Sequence, residues 1–192
     1  EVSTDLILPA AQASLAVTYG GTLFNVGGFF AQYWAQAPEA NQYNTIETYD
    51  LRTDFLDVEY REIFAAALND LERIRTDASD VENWGDYLVA TTLRAFAYQV
   101  WVDLVDKAPY SEALQGTDVI NPTWEDGDVV YSGLIEELDD ALALVAGDDA
   151  PGLDAQADIP VRSDRFLPSS AVESPVCAES LNHHRPFLGL SK

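Results

Sequence analysis

From Asn83 to Asp106 the chain has no strongly polar face. Leu88, Val89, Leu93, Phe96, Ala97, Val100, Trp101 and Leu104 recur at spacings of three and four, so a helix built from them is apolar almost all round. Such a helix needs neighbours on several sides, which makes it the central element of any fold that contains it. Asn83 with Asp86 three residues on has the form of a capping box and predicts the start of that helix.

The neighbours are visible on both sides of it. Pro9 suits the first position of a helix running to about Tyr19, where Gly20-Gly21 predicts a stop. An apolar stretch from Leu23 to Ala37 follows and ends before Pro38. Asp50 reads as the N-cap of a long helix to about Thr76, with Phe55, Leu56, Tyr60, Ile63, Phe64, Ala67, Leu68, Leu71 and Ile74 on its buried stripe. Asp54, Glu62, Asn69, Glu72 and Arg73 fall on its opposite, solvent-facing side. After a Pro-containing loop, Asp126 or Asp128 caps a last helix carrying Val130, Tyr131, Leu134, Ile135, Leu138, Ala141, Leu142 and Val145, ending at Gly147. No segment of any length alternates with strand period. The expected fold is all-α, an antiparallel helical array whose long pairs have the form of tetratricopeptide-like hairpins, though no clean 34-residue repeat is visible.

Charge narrows the partners. The 192 residues hold 33 Asp and Glu against 10 Lys and Arg, a net charge of -23. That balance repels phosphate backbones and anionic lipid surfaces, so nucleic acid is excluded and neutral or cationic partners are expected. Asp outnumbers Glu, and Lys107 and Lys192 are the only lysines. Dense short carboxylates suit a salt-loving source, where screening is short-ranged, and equally an acidic protein kept soluble at ordinary salt. No stretch is read as a membrane span, and a single Cys177 excludes a disulfide framework or a multi-Cys metal site.

The composition changes near Pro160. Residues 1–160 carry 30 acidic and 6 basic side chains, residues 161–192 only 3 and 4. The tail also holds Cys177, His183 and His184, three of the nine prolines and no helical periodicity. We read residues 1–159 as the helical region and 160–192 as an atypical, irregular tail that does not belong to the fold. Adjacent His183-His184 without spaced partners does not make a metal site.

No nucleophile elbow, phosphate loop or zinc-helix motif is present. Asp103 and Asp106, one turn apart beside Trp101 and Tyr110, are the most enzyme-like pair, with helix-end polarity ahead of Pro109 as the plainer explanation. The segment Tyr33 to Asn44 clusters aromatics with Gln and Asn between helices, a composition suited to stacking on and hydrogen bonding to a sugar. Trp34, Gln36, Asn41, Tyr43 and Asn44 are the candidate ligand contacts, against closure of the helical core by Tyr33 and Trp34.

Residues 98–145 then show a more specific pattern. Tyr98 and Asp103 precede Ala108-Pro109-Tyr110-Ser111-Glu112-Ala113-Leu114, followed by Pro122, Trp124 and Asp126 and a helix with Val130-Tyr131, Leu134-Ile135, Leu138-Asp139 and Ala141. This resembles the SusD/RagB family of starch-binding-type outer-membrane lipoproteins, over roughly Leu6 to Val145. Asp106-Lys107 stands where the family usually has Gly-Asp. Family members run to more than twice this length, so the chain corresponds to an N-terminal portion. The resemblance implies a tetratricopeptide-like scaffold, surface exposure at the outer membrane through a lipidated Cys upstream of Glu1, partnership with a SusC-like TonB-dependent transporter, and binding of an oligosaccharide or other nutrient without catalysis or cofactor. Within the motif, Asp103, Pro109, Tyr110, Ser111, Glu112, Trp124 and Tyr131 are read as structural. Pro109 ends the central helix, Tyr110 packs back on it, and Ser111 with Glu112 caps a short following helix.

Overall fold

In a computed structural model the described residues are 4–146, with side-chain burial described from residue 6. The expected boundary at 159/160 and the tail beyond it lie outside them. The described part is mostly helical, as expected. It comprises α1 (Thr4–Thr18), a π-helical turn (Tyr19–Leu23), α2 (Phe24–Phe30), α3 (Asn44–Glu47), α4 (Asp57–Tyr60), a π-helical segment (Arg61–Leu68), α5 (Asn69–Asp80), α6 (Trp84–Val105), β1 (Lys107–Pro109), β2 (Trp124–Asp126) and α7 (Gly127–Ala146).

Helix α6 occupies the centre. Its start is the one expected: the Asn83 side chain accepts from the Asp86 N–H at 3.3 Å and donates to the Asp86 carboxylate at 2.8 Å. α5 and α7 pack against it, and α1 lies against α5 and the π-helical segment. The main core joins Ile7, Leu8, Ala11 and Leu15 of α1 to Ile63, Leu68, Leu71 and Ile74, and these to Tyr98 and Trp101 of α6 and Val130 and Leu134 of α7. A smaller cluster of Val26, Phe29 and Ile46 sits under α2 and α3.

Several boundaries differ from the sequence reading. Pro9 lies inside α1, because Ile7 and Leu8 ahead of it are buried in the core and the helix has to begin before them. Gly20-Gly21 kinks the run, with Gly21 at φ -98° and ψ -114°, and the chain then resumes as α2. Residues Leu6–Phe30 together are long and apolar enough to meet the size of a membrane span, which the sequence reading had not registered. A third of that run is buried within the protein, so its apolar character has a use in the core.

Asp50 does not cap the next helix, which begins at Asp57 and runs to Asp80. Residues 53–56 instead form turns, with Phe55 N–H donating to Arg52 O and Asp57 N–H to Asp54 O. The reason is packing: Phe55 belongs to the small cluster and Leu56 to the main core, so the chain here serves two separate apolar groups. The central helix ends on Asp106 at φ 65°, the left-handed C-cap for which glycine is usual. The expectation of no strands is corrected by β1 and β2, an antiparallel pair with Ala108 opposite Glu125. At three residues each, they are too short to display a period.

The feature that the sequence concealed is ionic. Arg94, only 5% exposed, is paired with Glu137 of α7 and lies 3.5 Å from Glu72 of α5. Its guanidinium carbon sits 4.9 Å from the Tyr98 ring centre and 5.2 Å from that of Tyr110. Arg75 extends the cluster, bonding Glu72 at 2.9 Å and the Tyr87 hydroxyl at 3.1 Å. Glu72 therefore does not serve the solvent face to which the helical period assigned it.

Two predictions follow from this cluster. Arg94→Met removes the nearest cation from Glu137 while Arg75 still holds Glu72, and is expected to cost about 3 kcal/mol in urea denaturation, the range for breaking a buried ion pair. The second concerns pH. Burial, and then its bond to Glu137, push the Tyr110 phenol up to about 12, and burial raises Tyr98 as well. Raised phenols stabilise the fold fully below their unfolded value of about 10 and lose that contribution as pH rises through the folded value. Urea midpoints measured upward from pH 8 should hold to about pH 10 and then fall, less steeply in Tyr110→Phe.

Candidate functional site

The family-type motif is held together by its own side chains. Tyr98 donates its hydroxyl to Pro109 O at 3.1 Å, and the Trp101 indole N–H donates to Lys107 O at 3.0 Å, so α6 fixes β1 directly. Tyr110 packs edge-on to Tyr98 with ring centres 5.3 Å apart, and its hydroxyl donates to Glu137 Oε1 at 2.8 Å. It lies against Gly133 of α7, where an added Cβ would come within 2.4 Å of the phenol ring. Tyr110 thus packs back as expected, and only glycine fits beneath it.

Ser111 and Glu112 do something other than cap a helix. Residues 111–114 form a turn. The Ser111 N–H and hydroxyl both donate to the Glu125 carboxylate, at 2.7 and 2.8 Å, and Glu112 accepts from the Thr123 N–H at 2.8 Å. The two residues clasp the returning strand. Asp126, one of the two expected caps of α7, is instead paired with Lys107, while Asp128 accepts from the Val129 N–H at 2.9 Å in the first turn. Asp103 accepts from the Tyr131 hydroxyl at 2.5 Å, tying α6 to α7, and Asp106 makes the left-handed turn. These are structural engagements for the pair that looked most enzyme-like. Among the described residues no group of three or more His, Cys, Asp or Glu is arranged to hold a metal.

The candidate ligand residues divide into two sets. Gln36 and Tyr43 are occupied by the loop itself. The Gln36 N–H and side-chain amide donate to the two Glu47 oxygens at 3.2 and 3.1 Å, and its side-chain oxygen accepts from the Tyr43 N–H at 2.8 Å. Tyr43 stacks obliquely on Phe29 at 5.3 Å, and its hydroxyl accepts from Gln42 at 3.2 Å. Asn41 and Asn44 are exposed, and their backbone carbonyls close turns to Asn44 and Thr48.

Trp34 lies on the surface of α2. An added Cβ at Gly28 would come within 2.2 Å of the indole, so the ring rests directly on backbone, with Phe24 edge-on at 4.9 Å and Phe29 at 6.1 Å. Tyr33 next to it is 86% exposed. Leu23, Phe24, Gly27, Gly28, Tyr33 and Trp34 together line a cavity of about 400 Å³. Tyr33 therefore does not close the core, and it joins Trp34 on an open aromatic face together with Phe24, which is 60% exposed. Sequence reading missed Phe24; the Gly27-Gly28 pair four residues on was the available sign of a close approach.

Residues 1–164 match the SusD-like family described as starch-binding and associating with the outer membrane. The chain belongs to that SusD-like family. No curated protein matches it. The match includes all of the described helices of the SusD-like chain, among them both the clasped motif of 107–126 and the aromatic face on α2. Outer-membrane association and starch binding are thus properties of its family.

The seat of Trp34 is directly testable. Gly28→Ala is expected to lift the indole off α2, lowering stability by about 1–3 kcal/mol, as overpacking does, and red-shifting the tryptophan emission as the ring enters water.

Proposed function

We propose that this SusD-like chain captures a glycan, or another nutrient of similar polarity, for uptake through the outer membrane and performs no covalent chemistry. Family membership supports capture at the outer membrane, and the observation that carries the ligand reading is the aromatic face of Phe24, Tyr33 and Trp34. Flat rings accept the C–H face of a pyranose, while Asn41 and Asn44 in the adjoining loop carry the donors and acceptors that hydroxyls need. Gln36 and Tyr43 take part by holding that loop in shape.

A helical scaffold of this kind also suits docking onto a TonB-dependent transporter of the SusC type, with the chain at the cell surface through a lipid anchor. Its acidity favours neutral cargo, because a net charge of -23 repels anions. The Asp103 carboxylate is engaged with Tyr131 and the Asp106 backbone serves as the C-cap of α6, which supports a carrier over a glycosidase.

Tryptophan fluorescence titrated with maltoheptaose and a panel of neutral oligosaccharides tests the reading. A saturable change is expected, weakened about tenfold in Trp34→Ala through loss of one stacking contact. Absence of any response across the panel supports instead a scaffold that binds only protein, and measurable hydrolysis that is lost in Asp103→Asn supports an enzyme.

A further inference from the structure

A second concavity lies where the irregular turns before α4 meet β2. It holds about 500 Å³ between residues 51–53 and 55–57, Tyr60 of α4, Trp101 and Val105 of α6, and Trp124, within the ~300–1,000 Å³ typical of small-molecule sites. Its wall is a set of aromatic planes. Tyr60 and Trp124 stack with centres 5.8 Å apart and planes inclined by 17°, and Trp101 meets Tyr60 edge-on at 5.3 Å. Trp124 is 46% exposed, so much of its indole remains open.

The rim is polar and uncommitted. Arg52, Thr53 and Asp57 line the groove, and the side chains of all three are exposed and make no hydrogen bond or ion pair with another described residue. Among the other described cations Arg73, Arg75, Arg94 and Lys107 have carboxylate partners, and Arg61, which does not line the groove, is the other one without a partner. A guanidinium left unpaired in so acidic a chain, lining the same groove as one carboxylate and one hydroxyl, offers donors and acceptors without net charge.

We propose that this groove is a second binding site for a neutral oligosaccharide, a sugar ring stacking on Trp124 and its hydroxyls bonding to Arg52, Asp57 and Thr53. This rests on the reading of the chain as a glycan-capture protein and adds a location and a ligand class to it. The stacked rings supply the flat apolar surface that a pyranose face requires, and the rim supplies its hydrogen bonds. An anionic sugar is disfavoured, because Asp57 lines the same groove as Arg52 and the whole chain repels negative charge.

Calorimetry of the full chain with maltoheptaose and the same neutral panel, alongside trigalacturonate, tests the assignment. Two sites are expected in the unsubstituted chain for the neutral sugar that binds. Arg52→Ala and Trp124→Ala should each weaken one of them about tenfold and spare the site lost in Trp34→Ala. Arg52 is on an exposed turn, so Arg52→Ala decides the matter even if Trp124→Ala disturbs the strand pair. One site, sensitive to Trp34→Ala and unaffected by Arg52→Ala, overturns the groove and leaves glycan capture standing. No heat with any glycan overturns both. Preferential binding of trigalacturonate overturns the neutral-ligand assignment. Self-association in gel filtration that Trp124→Ala abolishes overturns the site in favour of a contact between copies.

Discussion

A buried guanidinium is stable only where its charge is met, and Arg94 meets that condition by drawing three helices together. Glu72 comes from α5, Glu137 from α7, and the faces of Tyr98 and Tyr110 flank the cation. Apolar contacts are non-directional and specify helix register only through the fit of their shapes. An ion cluster sharing Glu137 with the Tyr110 hydroxyl is directional. The register of α5, α6 and α7 follows from that cluster, and so does the position of everything attached to Tyr110.

What is attached is the short strand pair. Tyr98 and Trp101 hold the backbone of β1, Ser111 and Glu112 hold the approach to β2, and β2 in turn carries Trp124 to Tyr60. A chain of contacts therefore runs from a buried arginine to an exposed indole. The motif that signals the SusD-like family is the middle of this chain, and several of its residues hold backbone.

Both open aromatic surfaces arise where a helix is interrupted. At α2 the interruption follows a glycine kink, and the Gly28 backbone forms the seat of Trp34. Before α4 it arises because Phe55 and Leu56 belong to different apolar clusters, leaving Leu51, Arg52, Thr53, Phe55 and Leu56 to line a concavity rather than a helix face. Regular helix buries its side chains by period and has little to offer a ligand. Irregular backbone held by rigid helices presents side chains that the core does not require.

Residue spacing alone determined the helical class, the central place of the segment after Asn83 and its cap, because periodicity and capping are local properties written within a few turns, and the motif around Pro109-Tyr110-Ser111-Glu112 carried the resemblance to the family. The sequence also placed Tyr110 against the helices and identified Trp34 among the surface candidates. Contacts between residues distant in the chain decided the rest. They began α1 ahead of Pro9, broke the expected helix at 51–56, turned Ser111 and Glu112 from caps into a clasp, and occupied Gln36 and Tyr43 within their own loop. They also moved Glu72 from an expected solvent face into the Arg94 cluster. The competing local preferences are worth about 1 kcal/mol for a cap and about 3 kcal/mol for a proline inside a helix, and burial of large side chains or pairing of a buried charge outweighs them.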